Sequence, residues 1–165
     1  MEVYPGWSFT HEPIVLHRIA DFGLERNPMD VSGMQKALPK NIERPDTIDP
    51  GVLQVLDYAY RTQRDIEIKI DQPEFTSLCP ISGLPDFGRI VIHYKPNDMI
   101  VELRSLKYYL LQYRSVGIFY EQVVNRILED LVSFVRPKSM EVEGTFTPRG
   151  GITTTVRVEY TDKGK

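Results

Sequence analysis

The residues of this chain best suited to chemistry are a lone cysteine and an aspartate that follows it closely. Cys79 is the only cysteine, and Asp86 lies in the same proline-rich segment, PEFTSLCPISGLPDF. A free cysteine commonly packs as a small hydrophobe, but a thiolate on a constrained loop is also placed for nucleophilic attack. Asp86 is either a turn residue after Pro85 or an acid that donates a proton to an adduct on the thiol.

Two groups of cations are candidates for binding an anionic ligand. Arg104 and Lys107 lie in the segment ELRSLKYY, where a helix is predicted to begin, on neighbouring positions of one helix face. A helix amino end beside two cations favours phosphate, and a solvated face is the alternative. Arg149 and Gly150, in TPRGG, add a cation on a loop that lets a ligand approach the backbone, or they form a plain hairpin turn.

A third candidate is the carboxylate at the start of the second predicted helix. Glu121 follows Phe119 and Tyr120, and the helix dipole favours a capping role there. Alternatively, its two acceptor oxygens match an amide N–H beside an exocyclic amine, which is the edge that a guanine-like base presents. Phe119 or Tyr120 would then stack on the ring of the base.

Bulk composition excludes several classes of protein. The 165 residues are 41% hydrophobic and 26% charged, and the net charge of -3 lacks the basic excess of nucleic-acid binders. A single cysteine suits a reducing compartment, so we expect a cytoplasmic protein that is neither secreted nor inserted in a membrane. His11, His17 and His93 are scattered, so we assign no metal. Neither a phosphate-binding loop nor a glycine-rich dinucleotide fingerprint occurs.

Hydrophobic periodicity predicts the elements that must position these residues. Alternating apolar positions predict four strands, and two helical stripes within residues 103–135, separated by SVGIF, predict a helix pair. The strands predicted in this way cover residues 66–70, 88–94, 140–146 and 152–160. Residues 72–87 are predicted to be loop. The order β-β-α-α-β-β indicates an α+β fold, with the helix pair on one face of an antiparallel sheet.

The beginning of the chain shows much weaker periodicity. We predict an N-terminal arm with little regular structure over residues 1–64 and a catalytic domain over residues 65–165, ending in a frayed polar tail. Within the arm, Asp49 followed by Pro50 is typical of a helix start. The apolar stripe of that short helix would consist of Val52, Val55, Leu56 and Tyr60.

Three separated motifs give the chain a specific resemblance. PEFTSLCPISGLPDF, VELRSLKYYLLQYRSVGIFYEQVVNRILEDLV and GTFTPRGGI together resemble the single-module 7-cyano-7-deazaguanine reductases, the QueF-type nitrile reductases of queuosine biosynthesis. The resemblance covers about residues 64–160. It implies the tunnelling fold shared with GTP cyclohydrolase I, in which β-β-α-α-β-β subunits associate into rings and the sites lie between subunits.

The resemblance also implies a reaction and roles for individual residues. A nitrile is reduced to a primary amine with two NADPH, through a thioimide on Cys79 and with Asp86 as the proton donor. Substrate contacts fall on Val101, Glu102, Leu103, Tyr120 and Glu121, to which Phe119 adds a stacking ring. Cofactor contacts fall on Leu103, Arg104, Lys107, Arg149 and Gly150. The implied partners are a small deazapurine and further copies of the chain, without direct contact to nucleic acid or membrane.

Two departures from the family pattern bear on function. Arg104 stands where many members have lysine. The compact ammonium charge of lysine is thereby replaced by the planar guanidinium group of arginine. Tyr120 stands where other members have histidine, and tyrosine does not titrate near neutrality. Any proton delivery by that histidine would fall here to Asp86 or water.

Two other functions compete with the reductase. One is a non-redox amidinotransferase acting on a nitrile-bearing base in tRNA, as in archaeal relatives of the family. The nearly intact NADPH motif and the net charge of -3 disfavour it. The other is a non-catalytic protein that binds a deazapurine, and Cys79 together with Asp86 disfavours that possibility.

Overall fold

Residues 42–163 are described by a computed structural model with an α+β arrangement. The strands are β1 Val55–Asp57, β2 Ile68–Leu78, β3 Pro85–Lys95, β4 Met99–Val101, β5 Ser139–Arg149 and β6 Ile152–Thr161, and the α-helices are α1 Leu103–Leu111 and α2 Tyr120–Val135. The first part of the predicted arm, with His11 and His17, lies outside the described residues, as does the end of the tail. No helix within residues 42–163 is long and apolar enough to cross a membrane.

Four antiparallel strands form the main sheet, in the order β2-β3-β5-β6. Along its core face the register aligns Ile92 with Val142, and Val142 with Val158. Helix α2 packs across β5 and β6 on this face, so apolar and polar residues alternate along the strands as a half-buried sheet requires. The predicted order β-β-α-α-β-β is confirmed, with β1 and β4 added as a separate short pair.

The helical stripes read from the sequence are the buried faces of the helices. Residues at helical spacing turn toward the sheet and leave the polar residues outside. The buried stripe residues are Leu106, Tyr109, Leu110, Tyr113, Val124, Ile127, Leu128, Leu131 and Val135. SVGIF is confirmed as the link between the helices, because α1 passes into a 3-10 turn, Gln112–Ser115, and α2 begins at Tyr120.

The prediction of loop over residues 72–87 is wrong over most of its length. Strand β2 continues to Leu78 and β3 begins at Pro85, so only residues 79–84 form the connection. The prolines misled the prediction because β2 is an edge strand and Pro73 lies in a β-bulge, where the ladder does not need its missing N–H. Phe75 and Ser77 continue the alternation of the strand with buried side chains.

The helix predicted after Asp49 is also wrong, because only a 3-10 turn, Pro50–Val52, forms there. The Asp49 carboxylate does cap this turn, accepting the Gly51 N–H at 2.8 Å. Pairing of β1 with β4 then overrides the helical stripe. Ile48 and Leu53 are buried in the core, so this part of the predicted arm packs on the domain, and the boundary at residue 64 stays a prediction.

The close packing around Gly144 leads to a testable prediction about the stability of the fold. A Cβ atom at this position would lie 2.7 Å from Val124 Cγ2 and 3.2 Å from Ile90 Cδ1. We expect Gly144→Ala to lower the free energy of unfolding by about 1–3 kcal/mol, measured in urea, because α2 must move away from the sheet. Thr145→Ala, on the opposite face, should change it by less than about 0.5 kcal/mol. Equal stability of both variants would contradict this packing.

Candidate active site

The turn between β2 and β3 holds the thiol of Cys79. The Cys79 N–H donates to the Leu84 carbonyl at 2.9 Å, and the Gly83 N–H donates back to the Cys79 carbonyl at 2.7 Å. Gly83 has a φ of 68°, a left-handed conformation that glycine adopts without strain. The cysteine is partly exposed. A closed turn therefore presents the sulfur, which excludes the alternative of a fully buried, inert cysteine.

Hydrogen bonds within the same turn favour the thiolate. Burial raises the pKa of the Cys79 thiol, and the nearby Asp86 charge raises it further. The hydroxyl and backbone N–H of Ser82, together with the backbone N–H of Ile81, donate to the sulfur and outweigh both effects. The net pKa of Cys79 lies below its ordinary value, which increases the fraction of thiolate near neutral pH.

The alkylation of Cys79 as a function of pH tests this arrangement. Because the chain has one cysteine, iodoacetamide labelling followed by intact mass reports on Cys79 alone. We expect a labelling midpoint below that of an unperturbed thiol, about 8.5. In Ser82→Ala the midpoint should rise, because a donor to the thiolate is lost, and Ser133→Ala on the far part of α2 should leave it unchanged. An unchanged midpoint in Ser82→Ala would remove the hydroxyl from this account.

Asp86 is a buried carboxylate held from two sides. It is 3% exposed and belongs to β3, so it is not a turn residue. Its Oδ1 accepts the Tyr120 hydroxyl at 2.6 Å and forms an ion pair with the Arg149 guanidinium. Arg149 also donates to the Pro85 carbonyl at 2.9 Å. Helix α2 and strand β5 thereby fix the carboxyl group beside the thiol turn.

Tyr120 serves as a permanent hydrogen-bond donor in this site. Its ring stacks on Phe146, with centroids 3.8 Å apart and an angle of 8° between the planes. Burial and the hydrogen bond to Asp86 raise the pKa of Tyr120 to about 12. The phenol therefore keeps its proton throughout the neutral range, unlike a histidine.

A short parallel pairing brings the separated motifs together. Leu78 donates its N–H to the Val116 carbonyl at 3.0 Å and accepts the Ile118 N–H at 3.1 Å. Gly117 lies between them, and a Cβ there would approach Ile42 Cγ2 to 2.6 Å. The end of β2 and the start of α2 are thus joined immediately beside the thiol.

A cavity of about 220 Å³ lies at this junction. Six of its lining residues are predicted site residues, namely Cys79, Asp86, Phe119, Tyr120, Glu121 and Arg149. Pro80 and Ile118 complete the lining, and neither is predictable from the sequence because nothing in their local pattern indicates a ligand. The exposed Glu121 carboxylate makes no hydrogen bond or ion pair with residues 42–163, so it remains available to a ligand.

The remaining predicted residues lie mostly at the start of α1 and do not line this cavity. Val101 is buried in β4, and Leu103 is exposed. Glu102 caps α1 by accepting the N–H groups of Arg104 at 2.9 Å and Ser105 at 2.6 Å. The free helix amino end that we expected to bind phosphate is therefore already occupied by this carboxylate. The Arg104 side chain borders a surface depression of about 540 Å³.

The loop that joins β5 to β6 is open to solvent. Gly150 and Gly151 have φ values of 56° and 83°, which favour glycine, and a Cβ at either would meet no atom within 4 Å. This geometry suits a hairpin turn and also leaves room for a ligand to reach the backbone. Arg149, the cation beside them, is engaged by Asp86.

Comparison with known proteins identifies the family. The family described as "QueF-like protein" matches residues 85–165. The NADPH-dependent 7-cyano-7-deazaguanine reductase of Chloroherpeton thalassium is 53% identical over 111 residues, covering 67% of this chain and 95% of the relative. The protein of the same name from Elusimicrobium minutum is 52% identical over 101 residues, covering 61% of this chain and 76% of the relative.

A solved structure is similar in fold. The apo archaeosine synthase QueF-Like has a TM-score of 0.52 with 22% identity, over 61% of this chain and 96% of that one. This likeness confirms the tunnelling fold. At such low identity it indicates nothing about the reaction.

Proposed function

Because this chain belongs to the QueF-like family, with the NADPH-dependent 7-cyano-7-deazaguanine reductases, we propose that it reduces the nitrile of 7-cyano-7-deazaguanine to a primary amine in queuosine biosynthesis. The observation that carries the proposal is one cavity that holds a thiol of lowered pKa and a buried carboxylate, Cys79 and Asp86. A nucleophile and an acid–base group that line the same small cavity suit addition to a nitrile.

Cys79 and Asp86 carry the first chemical step. The sulfur of Cys79 attacks the nitrile carbon, so that a sulfur–carbon bond forms and one carbon–nitrogen π bond breaks. Asp86 takes the proton that the thiol loses and passes it to the nitrogen, giving a thioimide. The ion pair with Arg149 and the Tyr120 hydroxyl hold the Oδ1 atom of this carboxyl group in place.

The cations at the start of α1 are the proposed contacts for the cofactor. NADPH supplies hydride, and two equivalents provide the four electrons that convert a nitrile to an amine. Arg104 and Lys107 are exposed and form no ion pair with the described residues, which leaves their charges available for phosphate. Leu103, next to Arg104 on α1, offers an exposed apolar contact, and Gly150, in the loop that joins β5 to β6, offers an open backbone.

Glu121 is proposed to bind the guanine-like edge of the substrate, and Phe119 to stack on its rings. We expect Glu121→Gln to weaken substrate binding about 10- to 100-fold, since a charge-assisted pair of hydrogen bonds is lost, with a much smaller change in kcat. Glu129→Gln, also exposed on α2, is the matched control. Unchanged KM in Glu121→Gln, measured from initial rates, would remove the carboxylate from substrate binding.

We further propose that two copies of the chain complete each site. Val101, Glu102 and Leu103 lie outside the Cys79 cavity, so a second copy can contribute them. The exposed apolar residues Ile81 and Leu84, on the thiol turn, favour such an interface. Co-purified mixtures of Cys79→Ala and Lys107→Ala subunits should regain activity that neither variant has alone, whereas no regain would indicate sites within single copies. A cytoplasmic location and the absence of nucleic-acid contact stay predictions.

The reductase is tested directly by mixing the protein with NADPH and 7-cyano-7-deazaguanine. We expect loss of NADPH absorbance and formation of the aminomethyl product in a ratio of two to one. No oxidation would exclude the reductase. An adduct on Cys79 without oxidation, seen by intact mass, would instead support the amidinotransferase, and binding without an adduct would support the non-catalytic protein.

A further inference from the structure

Ser77 in β2 presents a hydroxyl that the fold itself does not use. Its side chain is 0% exposed, and among residues 42–163 its Oγ is the one fully buried side-chain polar atom without a hydrogen-bond partner. A buried hydroxyl without a partner lowers stability. An alanine would fill this strand position at lower free energy, so the hydroxyl points to a role outside folding.

The position of Ser77 connects it to the catalytic carboxylate. The β2–β3 register places Ser77 directly opposite Asp86, and residues opposite one another point to the same face, with Cβ atoms about 4.5–5.5 Å apart. Asp86 uses its Oδ1 to bind both Tyr120 and Arg149. No hydrogen bond from the described residues reaches its Oδ2. Ser77, with its unpaired hydroxyl, and Asp86, with its unpaired Oδ2, are therefore opposite one another on adjacent strands, and Asp86 lines the cavity.

We propose that Ser77 is a positioning residue for Asp86, its hydroxyl donating to Oδ2 during the reaction. This inference rests on the proposed function, in which Asp86 carries a proton from the thiol to the nitrile nitrogen. Because Oδ1 is occupied by two donors, the transferred proton resides on Oδ2. A change of the Ser77 rotamer brings its hydroxyl to one lone pair of Oδ2 and leaves the other for the proton. The carboxyl group then cannot rotate away from the substrate while it is protonated.

The two effects of Ser77→Ala distinguish this role from a structural one. We expect thioimide formation, measured by intact mass in the absence of NADPH, to slow about 10-fold in this variant. NADPH oxidation should slow by a similar factor. The KM for the nitrile should change less than twofold. The melting temperature should stay equal or rise, because an unpaired buried hydroxyl is removed. Ser77→Thr, which keeps the hydroxyl, should restore most of the rate.

Ser105→Ala is the matched control for stability. Ser105 is also buried, but its hydroxyl accepts the Gln54 N–H at 2.9 Å and donates to the Glu102 carbonyl at 2.7 Å. Ser105→Ala should therefore lower the melting temperature, whereas Ser77→Ala should not.

The possible results separate the inference from the proposed function. A wild-type protein that oxidises no NADPH would overturn the proposed function. An active wild type with an equally active Ser77→Ala would overturn the inference alone. A slow Ser77→Ala that also melts well below the wild type would overturn it too, since the hydroxyl would then be structural.

Discussion

Cys79→Ala is expected to abolish both the covalent adduct and NADPH oxidation. In the proposed mechanism the sulfur is the atom that bonds to the nitrile carbon, and the described cavity offers no other thiol or lysine to replace it. Loss of a covalent nucleophile commonly lowers turnover by about four orders of magnitude or more. Intact mass after incubation with 7-cyano-7-deazaguanine, together with NADPH absorbance, measures the two losses separately.

The fold should survive this change. The turn around residue 79 is closed by backbone hydrogen bonds with Leu84 and Gly83, which alanine retains. The melting temperature should therefore stay within a few degrees of the wild type. Cys79→Ser, which keeps the size and polarity of the side chain, should be nearly as inactive. Turnover by Cys79→Ala at close to the normal rate would overturn the covalent mechanism.

Asp86→Asn is expected to lower NADPH oxidation by about two to four orders of magnitude. The amide oxygen still accepts from Tyr120, but the side chain cannot perform the proposed transfer of the thiol proton to the nitrile nitrogen. Formation of the thioimide should be slowed along with turnover, because both depend on that proton. Stopped-flow NADPH absorbance and time-resolved intact mass are the two measurements.

A second aspartate–arginine pair provides a control that distinguishes a catalytic role of Asp86 from the general effect of removing a paired carboxylate charge. Asp71 pairs with Arg89 on the neighbouring strand but is exposed, so Asp71→Asn should leave turnover within about twofold, since exposed pairs contribute little. A normal rate in Asp86→Asn, or an equal loss in both variants, would mean that the buried carboxylate does not move the proton.

The regular elements are largely predictable from the sequence. The helical stripe that includes Ile127 and Leu131 and the alternation through Met140 and Val142 both indicate burial on one side, which is a local signal. The segment around Pro73 was mispredicted because the tolerance of proline depends on β2 being an edge strand. Strand order is a property of the whole sheet and is not encoded in any short segment.

Some features of the candidate site are likewise predictable from the sequence, and others are not. Cys79, Asp86 and Glu121 are identifiable from residue type and from the family resemblance. The ion pair of Arg149 with Asp86 and the unpaired hydroxyl of Ser77 are not, because each depends on which strands are neighbours. The capping of α1 by Glu102 is not predicted either, because the expectation for that turn rests on its cations alone.

The backbone pairing between Leu78 and Gly117 limits how this enzyme can be altered. Because these main-chain hydrogen bonds set the separation of the sulfur from the segment that we propose to hold the base, an insertion on either side of the pairing would displace the nucleophile relative to its target. Variants that accept bulkier nitriles should therefore be sought by replacing the cavity-lining residues Ile118 and Phe119 with smaller ones. Under the proposed function, selectivity for a bicyclic base would therefore depend on the length of these two segments as much as on their side chains.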